Sequence, residues 1–171
     1  MRSDTIAVRS GRGDFEALGV HAPPIDLSTT YPFQDLDAAT DSYDAMAAGG
    51  MPRGSSIYAR LHNPTGARFE QALAAMEGAE EAVAFASGMA AVAAVFGVTV
   101  KPGDAVVLPA DSYYAVRRLA SNWLDTIRVQ VRLAPTRDNA QAEVLEGARL
   151  LWLETPSNPQ LDVCDIGELV Q

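Results

Sequence analysis

Cysteine, histidine and positive charge are all scarce in this chain of 171 residues. Cys164 is the single cysteine, so no internal disulfide can form and the fold must rest on burial. The two histidines, His21 and His62, have no visible metal partners in the sequence, and no metal site is expected. Thirteen basic residues stand against 22 acidic ones, a net charge of −9, which argues against a nucleic-acid surface or an anionic membrane as partner. Any bound anion must be held by local groups. Long apolar runs are missing too. The start, Met1-Arg2-Ser3-Asp4-Thr5, leads into no apolar leader and no run reaches membrane-spanning length, so a soluble cytoplasmic protein is the expectation. There is no internal repeat and no low-complexity tract. What is plentiful is apolar side chain, 48% of the residues, enough for a real core.

The chain is organised around residues 80–100. A short apolar run, Ala82-Val83-Ala84-Phe85, predicts a buried strand; Ala86-Ser87-Gly88-Met89 predicts a tight turn; Ala90 to Phe96 predicts a buried helix. Gly88, lacking Cβ, lets backbone N–H groups approach an anion, with a helix N-terminus behind it. On this stretch alone a glycine that merely turns strand into helix is the better explanation of the pattern.

Upstream, residues 1–60 carry no sustained helical period and are broken by Pro23-Pro24, Pro32, Gly49-Gly50 and Pro52-Arg53-Gly54. Ile25, Leu27, Tyr31 and Phe33 suggest an arm laid over another surface, with one short helix around Leu36–Met46. From Asn63 the character changes. Asn63 caps, Pro64 takes the first helical position, Phe69, Leu73 and Met76 recur at helical spacing, and Gly78 stops the helix. Downstream the pattern predicts a turn at Lys101–Asp104, a strand at Ala105–Leu108 and a helix from Tyr113 to Leu124 with Val116, Leu119, Ala120 and Trp123 on one face. A strand alternating Ile127, Val129, Val131 and Leu133 follows, then a short helix over 139–147 and a strand at Leu150–Leu153. Glu154–Pro159 is irregular because of its two prolines, and Asp165 caps a last helix. Strands alternating with helices imply an α/β domain with a largely parallel sheet, in which ligands gather beyond the carboxyl ends of the strands. Ser87-Gly88-Met89, Tyr113-Tyr114 and Ser157-Asn158 all fall at such predicted ends.

Several of these residues have chemistry to offer. Tyr58 and Arg60, two apart in an extended segment, can face one ligand, and a guanidinium fork suits phosphate, though taken alone the pair reads more simply as a core tyrosine and a solvated arginine. Tyr113 can stack on an aromatic ligand or move a proton, whereas Tyr114 is read as helix packing. Asn158 can hydrogen-bond a ligand oxygen or simply shape a turn. Glu154 is read as structural, and Cys164 as a small buried apolar side chain.

Taken together, Tyr58-Ala59-Arg60, Asn63-Pro64-Thr65, Met76-Glu77-Gly78, Ala86-Ser87-Gly88-Met89-Ala90-Ala91, Pro102-Gly103-Asp104 and Glu154-Thr155-Pro156-Ser157-Asn158-Pro159 resemble, in order and rough spacing, the Cys/Met-metabolism family of pyridoxal-phosphate enzymes. This is the group of cystathionine γ-synthase, cystathionine γ- and β-lyase and methionine γ-lyase. Even Pro23 to Tyr31 is similar to the family's arm segment, so the resemblance covers essentially the whole chain.

The resemblance implies an extended arm over residues 1–60 that contacts a neighbouring subunit. Residues 61–171 would be the first part of a large domain of the aspartate-aminotransferase-like, type I fold. It implies pyridoxal 5'-phosphate as cofactor, a sulfur-containing amino acid as substrate, and a homotetramer built from dimers that share active sites. Ser87, Gly88 and Met89 would bind the cofactor phosphate, the latter two through backbone N–H groups, and Tyr58 and Arg60 would reach it from the neighbouring subunit. Tyr113 would stack on the ring and move protons to the leaving group. Asn158 would contact the ring's phenolic oxygen. The family's Tyr-Gly-Gly is here Tyr113-Tyr114-Ala115, a departure at the substrate pocket. The aspartate that pairs with the pyridine nitrogen and the lysine that holds the cofactor covalently fall beyond the position of Gln171. The expectation is therefore the first portion of a longer polypeptide; a remainder supplied as a separate chain, or a pseudoenzyme keeping the fold for assembly, are the alternatives. The implied reaction is γ-elimination on cystathionine or methionine, with γ-replacement as the rival.

Overall fold

Local hydrogen-bonding chemistry decides where the helices begin and stop. In the computed structural model, which describes residues 2–33, 35–53 and 56–170, the chain divides into two compact units, Met1–Ala84 and Phe85–Gln171. Gly54 and Gln171 of the sequence reading lie outside the described residues.

The first unit is built on four helices: α1 (Ser3–Arg9), α2 (Phe15–Leu18), α3 (Leu36–Ala47) and α4 (Pro64–Glu77). The first two were not foreseen. At seven and four residues, with no buried side chain, they are too short to display a period. Helix α3 starts where Asp35 accepts from the Ala38 N–H at 2.7 Å. Helix α4 follows the expected script: Asn63 Oδ1 accepts from the N–H groups of Thr65 and Gly66, and Gly78 closes the helix at φ 67°. Its burial does not. Phe69, Leu73 and Met76 are exposed, and the buried residues are Ala67 and Ala74. Periodicity identifies side chains that share a face; it does not say that anything covers the face.

The arm is fastened to α4 by polar contacts. The Asp26 N–H donates to Thr65 Oγ1 at 2.8 Å, Asn63 Nδ2 donates to the Asp26 carbonyl at 3.3 Å, and Arg68 pairs with Asp14. Ile25 and Leu27, expected to lie against a surface, are exposed. Residues 29–31 pair antiparallel with 57–59, Ala59 N–H donating to the Thr29 carbonyl at 2.9 Å and Tyr31 N–H to the Ile57 carbonyl at 3.2 Å.

The predicted strand Ala82–Phe85 is not one. It has no ladder partner among the described residues, and Val83 and Phe85 are exposed. A short apolar run becomes a strand only when another backbone pairs with it, which its composition cannot specify.

In the second unit, α5 (Gly88–Thr99) precedes a three-stranded parallel sheet of order β2-β1-β3, with β1 Ala105–Pro109, β2 Gln130–Ala134 and β3 Leu150–Leu151. The central strand β1 is buried throughout, as its unbroken apolar run predicts for a strand covered on both faces. It is launched by the Lys101–Asp104 turn, where Gly103 at φ 96° donates to the Arg128 carbonyl. Between β1 and β2 runs α6 (Tyr114–Leu119), which loosens into a π-helical turn over Ala120–Leu124 and a 3₁₀ turn over Asp125–Ile127. Strand β2 therefore starts later than the alternation suggested. Ile127 belongs to the 3₁₀ turn, Val129 is buried ahead of the ladder, and Leu133 is exposed. The helix expected over 139–147 is a kinked 3₁₀ segment, Arg137–Val144, with left-handed backbone at Asp138 and Asn139. Strand β3 is two residues long, not four. The final helix, α7 (Ile166–Leu169), is capped by Asp165 accepting from the Glu168 N–H at 3.1 Å.

The core joins Val92, Phe96 and Val100 of the α5 region to Val106 and Leu108 of β1. Val116, Ala120, Leu124 and Val129 complete it. It lies against the side of the sheet that carries α5 and α6, leaving the carboxyl ends of β1 and β3 free to build a site.

Candidate functional site

The start of α5 is the first component. Ser87 is extended (φ −157°, ψ 156°) and its Oγ accepts from the Ala90 N–H at 3.2 Å, which fixes the entry into the helix. The N–H groups of Gly88 and Met89 come before any carbonyl of the helix can reach them, so they are donors without an intrahelical acceptor. Gly88 is helical, outside the positive-φ range, and a Cβ built on it meets no atom within 4 Å. Neither the backbone nor the surrounding atoms of the protein require glycine there.

The second component is the segment after β1. Ser112 is buried and its Oγ donates to the Pro109 carbonyl at 2.8 Å, turning the chain so that Tyr113 stands just ahead of α6. The Tyr113 N–H donates to both carboxylate oxygens of Glu154, at 2.9 and 3.0 Å, which ties the carboxyl end of β1 to that of β3. The Tyr113 ring is partly exposed and meets Tyr114 edge-on at 5.0 Å. Tyr114, expected to pack in the helix, is instead exposed. Beneath them, Asp111 Oδ1 accepts from the Thr136 N–H at 2.9 Å and hydroxyl at 3.0 Å, bracing β1 against the end of β2. Burial works to raise the Asp111 pKa, but the Thr136 hydrogen bonds, together with the Ser157 hydroxyl and the local backbone, outweigh it and hold the carboxyl below its ordinary range.

Between these components lies a cavity of about 530 Å³. Ser87, Gly88 and Met89 line one side and Tyr113, Trp152 and Glu154 another, with Val92, Val116 and Leu153 completing the wall. The Trp152 ring lies 5.4 Å from that of Phe96, and its Nε1 is buried without a hydrogen-bond partner among the described residues. A flat apolar wall, free helix N–H donors and a tyrosine ring make a fitting surface for a planar aromatic group that carries a phosphate.

Four of the residues singled out in the sequence, Ser87, Gly88, Met89 and Tyr113, thus share one cavity. Asn158 does not join them: it is exposed, in the turn held by Ser157, whose N–H donates to the Asp162 carbonyl at 2.8 Å. Cys164 is only partly buried. Tyr58 and Arg60 belong to the first unit, where the Arg60 guanidinium stacks on the Tyr58 ring at 5.1 Å and stays exposed. Glu154 and Trp152 are the cavity residues that sequence reasoning passed over. For Glu154 the available signal was its position just past a predicted strand end; Trp152 sat inside the predicted strand and carried none. No group of metal-ligating side chains occurs among the described residues, and no helix there is long and apolar enough to cross a membrane.

The second unit thus defines an α/β class with a parallel sheet, a helix N-terminus and a phenol gathered at the strand ends. The chain belongs to the Cys/Met metabolism PLP-dependent enzyme family, whose model matches residues 4–171. It is 42% identical over 176 aligned residues to the L-methionine gamma-lyase of Streptomyces avermitilis, covering 97% of this chain and 40% of that protein. It is 38% identical over 170 residues to the cystathionine gamma-synthase of Mycobacterium tuberculosis, covering 98% and 40%. Cystathionine gamma synthase from Xanthomonas oryzae pv. oryzae, solved in complex with cystathionine, superposes with a TM-score of 0.82 at 29% identity, over 99% of this chain and 41% of that one. The chain spans about two-fifths of the length of the relatives it matches.

Proposed function

We propose that this chain is the cofactor-binding first portion of a carbon–sulfur lyase that carries out α,γ-elimination on cystathionine or methionine. The products are a thiol, ammonia and 2-oxobutanoate. The observation that carries the cofactor-binding part is Gly88, a glycine with helical backbone and open space at its Cβ position, in a helix N-terminus that lines a cavity. A ligand approaching the backbone explains that glycine; the protein's own packing does not. The 42% identity to an L-methionine gamma-lyase supports elimination.

Pyridoxal phosphate supplies an electron sink for the negative charge that develops at the substrate Cα. The residues of this chain bind and orient. The N–H groups of Gly88 and Met89, with the Ser87 hydroxyl, hold the phosphate; Arg60 and Tyr58 complete the grip from a neighbouring subunit, which gives residues 1–60 their role as an arm. Tyr113, its backbone held by Glu154, lays its ring on the cofactor and delivers a proton from its hydroxyl to the departing γ-sulfur. Asn158, which does not line the cavity, would have to approach from the turn at Ser157 to serve the cofactor's phenolic oxygen, the role the family resemblance gives it. A cytoplasmic homotetramer of dimers with shared sites is the assembly that fits this division of labour.

A second reading, γ-replacement, draws support from the 38% identity to a cystathionine gamma-synthase over nearly the whole chain. The deciding experiment offers the full-length protein cystathionine, methionine, or an O-acylated homoserine with cysteine. Release of 2-oxobutanoate and a thiol from the first two upholds the lyase. Formation of cystathionine as the main product replaces it with the synthase, and a protein that stays colourless with added pyridoxal phosphate refutes both.

A further inference from the structure

His62 has no part in the reading so far, yet it closes the turn that presents Tyr58 and Arg60. Its Nδ1 lies 2.7 Å from the hydroxyl of Ser56, six residues earlier, so one side-chain hydrogen bond spans the turn from flank to flank. Inside that span the Tyr58 carbonyl accepts from the N–H groups of Leu61 at 2.9 Å and His62 at 3.1 Å. Ser56 is buried and the ring of His62 is partly so. Burial lowers the His62 pKa, with the Glu70 carboxylate acting in the opposite direction, so the ring is neutral near pH 7 and Nδ1 shares one hydrogen bond with the serine hydroxyl, accepting or donating according to the ring tautomer. His62 also directly precedes Asn63, the cap of α4, so the clamp anchors the turn to the start of a 14-residue helix.

A turn that offers a long, exposed arginine to a phosphate gains affinity from being held in shape before the ligand arrives, because less freedom is then lost on binding. Arg60 is exposed and stacked on Tyr58, so fixing the backbone of the turn fixes both groups together. We propose that His62 is a positioning residue for cofactor binding, its ring clamping the Tyr58–Arg60 turn against Ser56 so that phenol and guanidinium reach the phosphate as one unit. This rests on the reading that Tyr58 and Arg60 hold the cofactor phosphate.

The test uses the full-length enzyme stripped of cofactor. Pyridoxal phosphate is titrated back while its bound absorbance is followed, and the thermal midpoint of the cofactor-free protein is measured in parallel. His62→Ala and Ser56→Ala are each expected to weaken cofactor affinity about three- to tenfold, the effect of losing one ordinary hydrogen bond. The double variant should be no weaker than His62→Ala alone, since both substitutions break the same contact. His62→Asn, whose amide can accept or donate near the position of Nδ1, should recover most of the loss, and the cofactor-free midpoints should fall by no more than about 6 °C, one hydrogen bond at about 2–4 °C per kcal/mol. Unchanged affinity in His62→Ala, while Arg60→Ala weakens binding, overturns the clamp and leaves the phosphate reading standing. Additive losses in the double variant overturn it too. Should Arg60→Ala itself bind the cofactor normally, the underlying reading fails and takes the clamp with it.

Discussion

Replacing Gly88 with alanine separates a ligand's requirement from the protein's own. The added methyl group enters open space, since a Cβ at this position meets nothing within 4 Å, and the backbone is already helical. In the cofactor-free protein, alanine therefore restricts only the unfolded chain and should stabilise by about 0.4–1 kcal/mol, the usual gain where the native conformation suits the new residue. At roughly 2–4 °C per kcal/mol, the melting point rises by about 1–4 °C. With cofactor the sign reverses. A methyl group on the helix N-terminus holds the phosphate off the Gly88 and Met89 N–H donors, and one charge-assisted hydrogen bond is worth about 1.5–3 kcal/mol. Affinity should fall by about ten- to a hundredfold. Thermal unfolding of the stripped variant and a cofactor titration by absorbance supply both readings. A lower melting point without cofactor means the glycine serves the fold, and unchanged affinity means the phosphate does not approach this backbone; either result refutes the reasoning.

Tyr113→Phe should keep cofactor affinity, because stacking needs only the ring, yet slow turnover by about 10²–10⁴-fold, the usual share of a positioned acid; steady-state kinetics with unchanged turnover removes its proton role. Phe96→Ala, at a fully buried position against Trp152, should cost about 3–5 kcal/mol in denaturant unfolding followed by circular dichroism. Acid should weaken the fold through Asp14, held below the ordinary carboxylate range by Arg68, and Asp111, where hydrogen bonds from Thr136, Ser157 and the local backbone outweigh burial. A lowered carboxylate pKa contributes stability that is present above the unfolded value and lost as pH falls through the folded one. Melting points should thus fall in two stages: a first loss as pH drops below about 6.5, where His62 would protonate in the unfolded chain but is kept neutral by burial in the folded one, and a further drop below about pH 4 from the carboxylates, less steep in Asp111→Asn.

What could be read in advance was the chemistry that chain neighbours settle among themselves. Asn63 and Asp165 cap helices as expected, Gly78 stops one, and Lys101–Asp104 turns into a buried strand, while the cap at Ser87 came from the structure. Each depends on hydrogen bonds spanning two to four residues. Distant partners were the part that could not be read. Ala82–Phe85 has the composition of a strand but finds no ladder among the described residues, and Phe69, Leu73 and Met76 form a face left exposed. The site divides in the same way. Ser87, Gly88, Met89 and Tyr113 were placed by their positions around predicted strands and do line one cavity. Glu154 was missed because its partner, the Tyr113 amide, lies 41 residues away, and an acidic residue at a strand end carries no mark of what it will hold.

Trp152 touches the core through Phe96 and also forms part of the cavity wall, and it is one of only two tryptophans in the chain. Its intrinsic fluorescence is therefore a built-in gauge with two inputs. Loosened packing changes the surroundings of the indole from one side, and an aromatic guest that absorbs in the near ultraviolet quenches it from the other. With Trp123 replaced by phenylalanine, a single emission spectrum would follow folding and occupancy on one sample, with no label added to the protein.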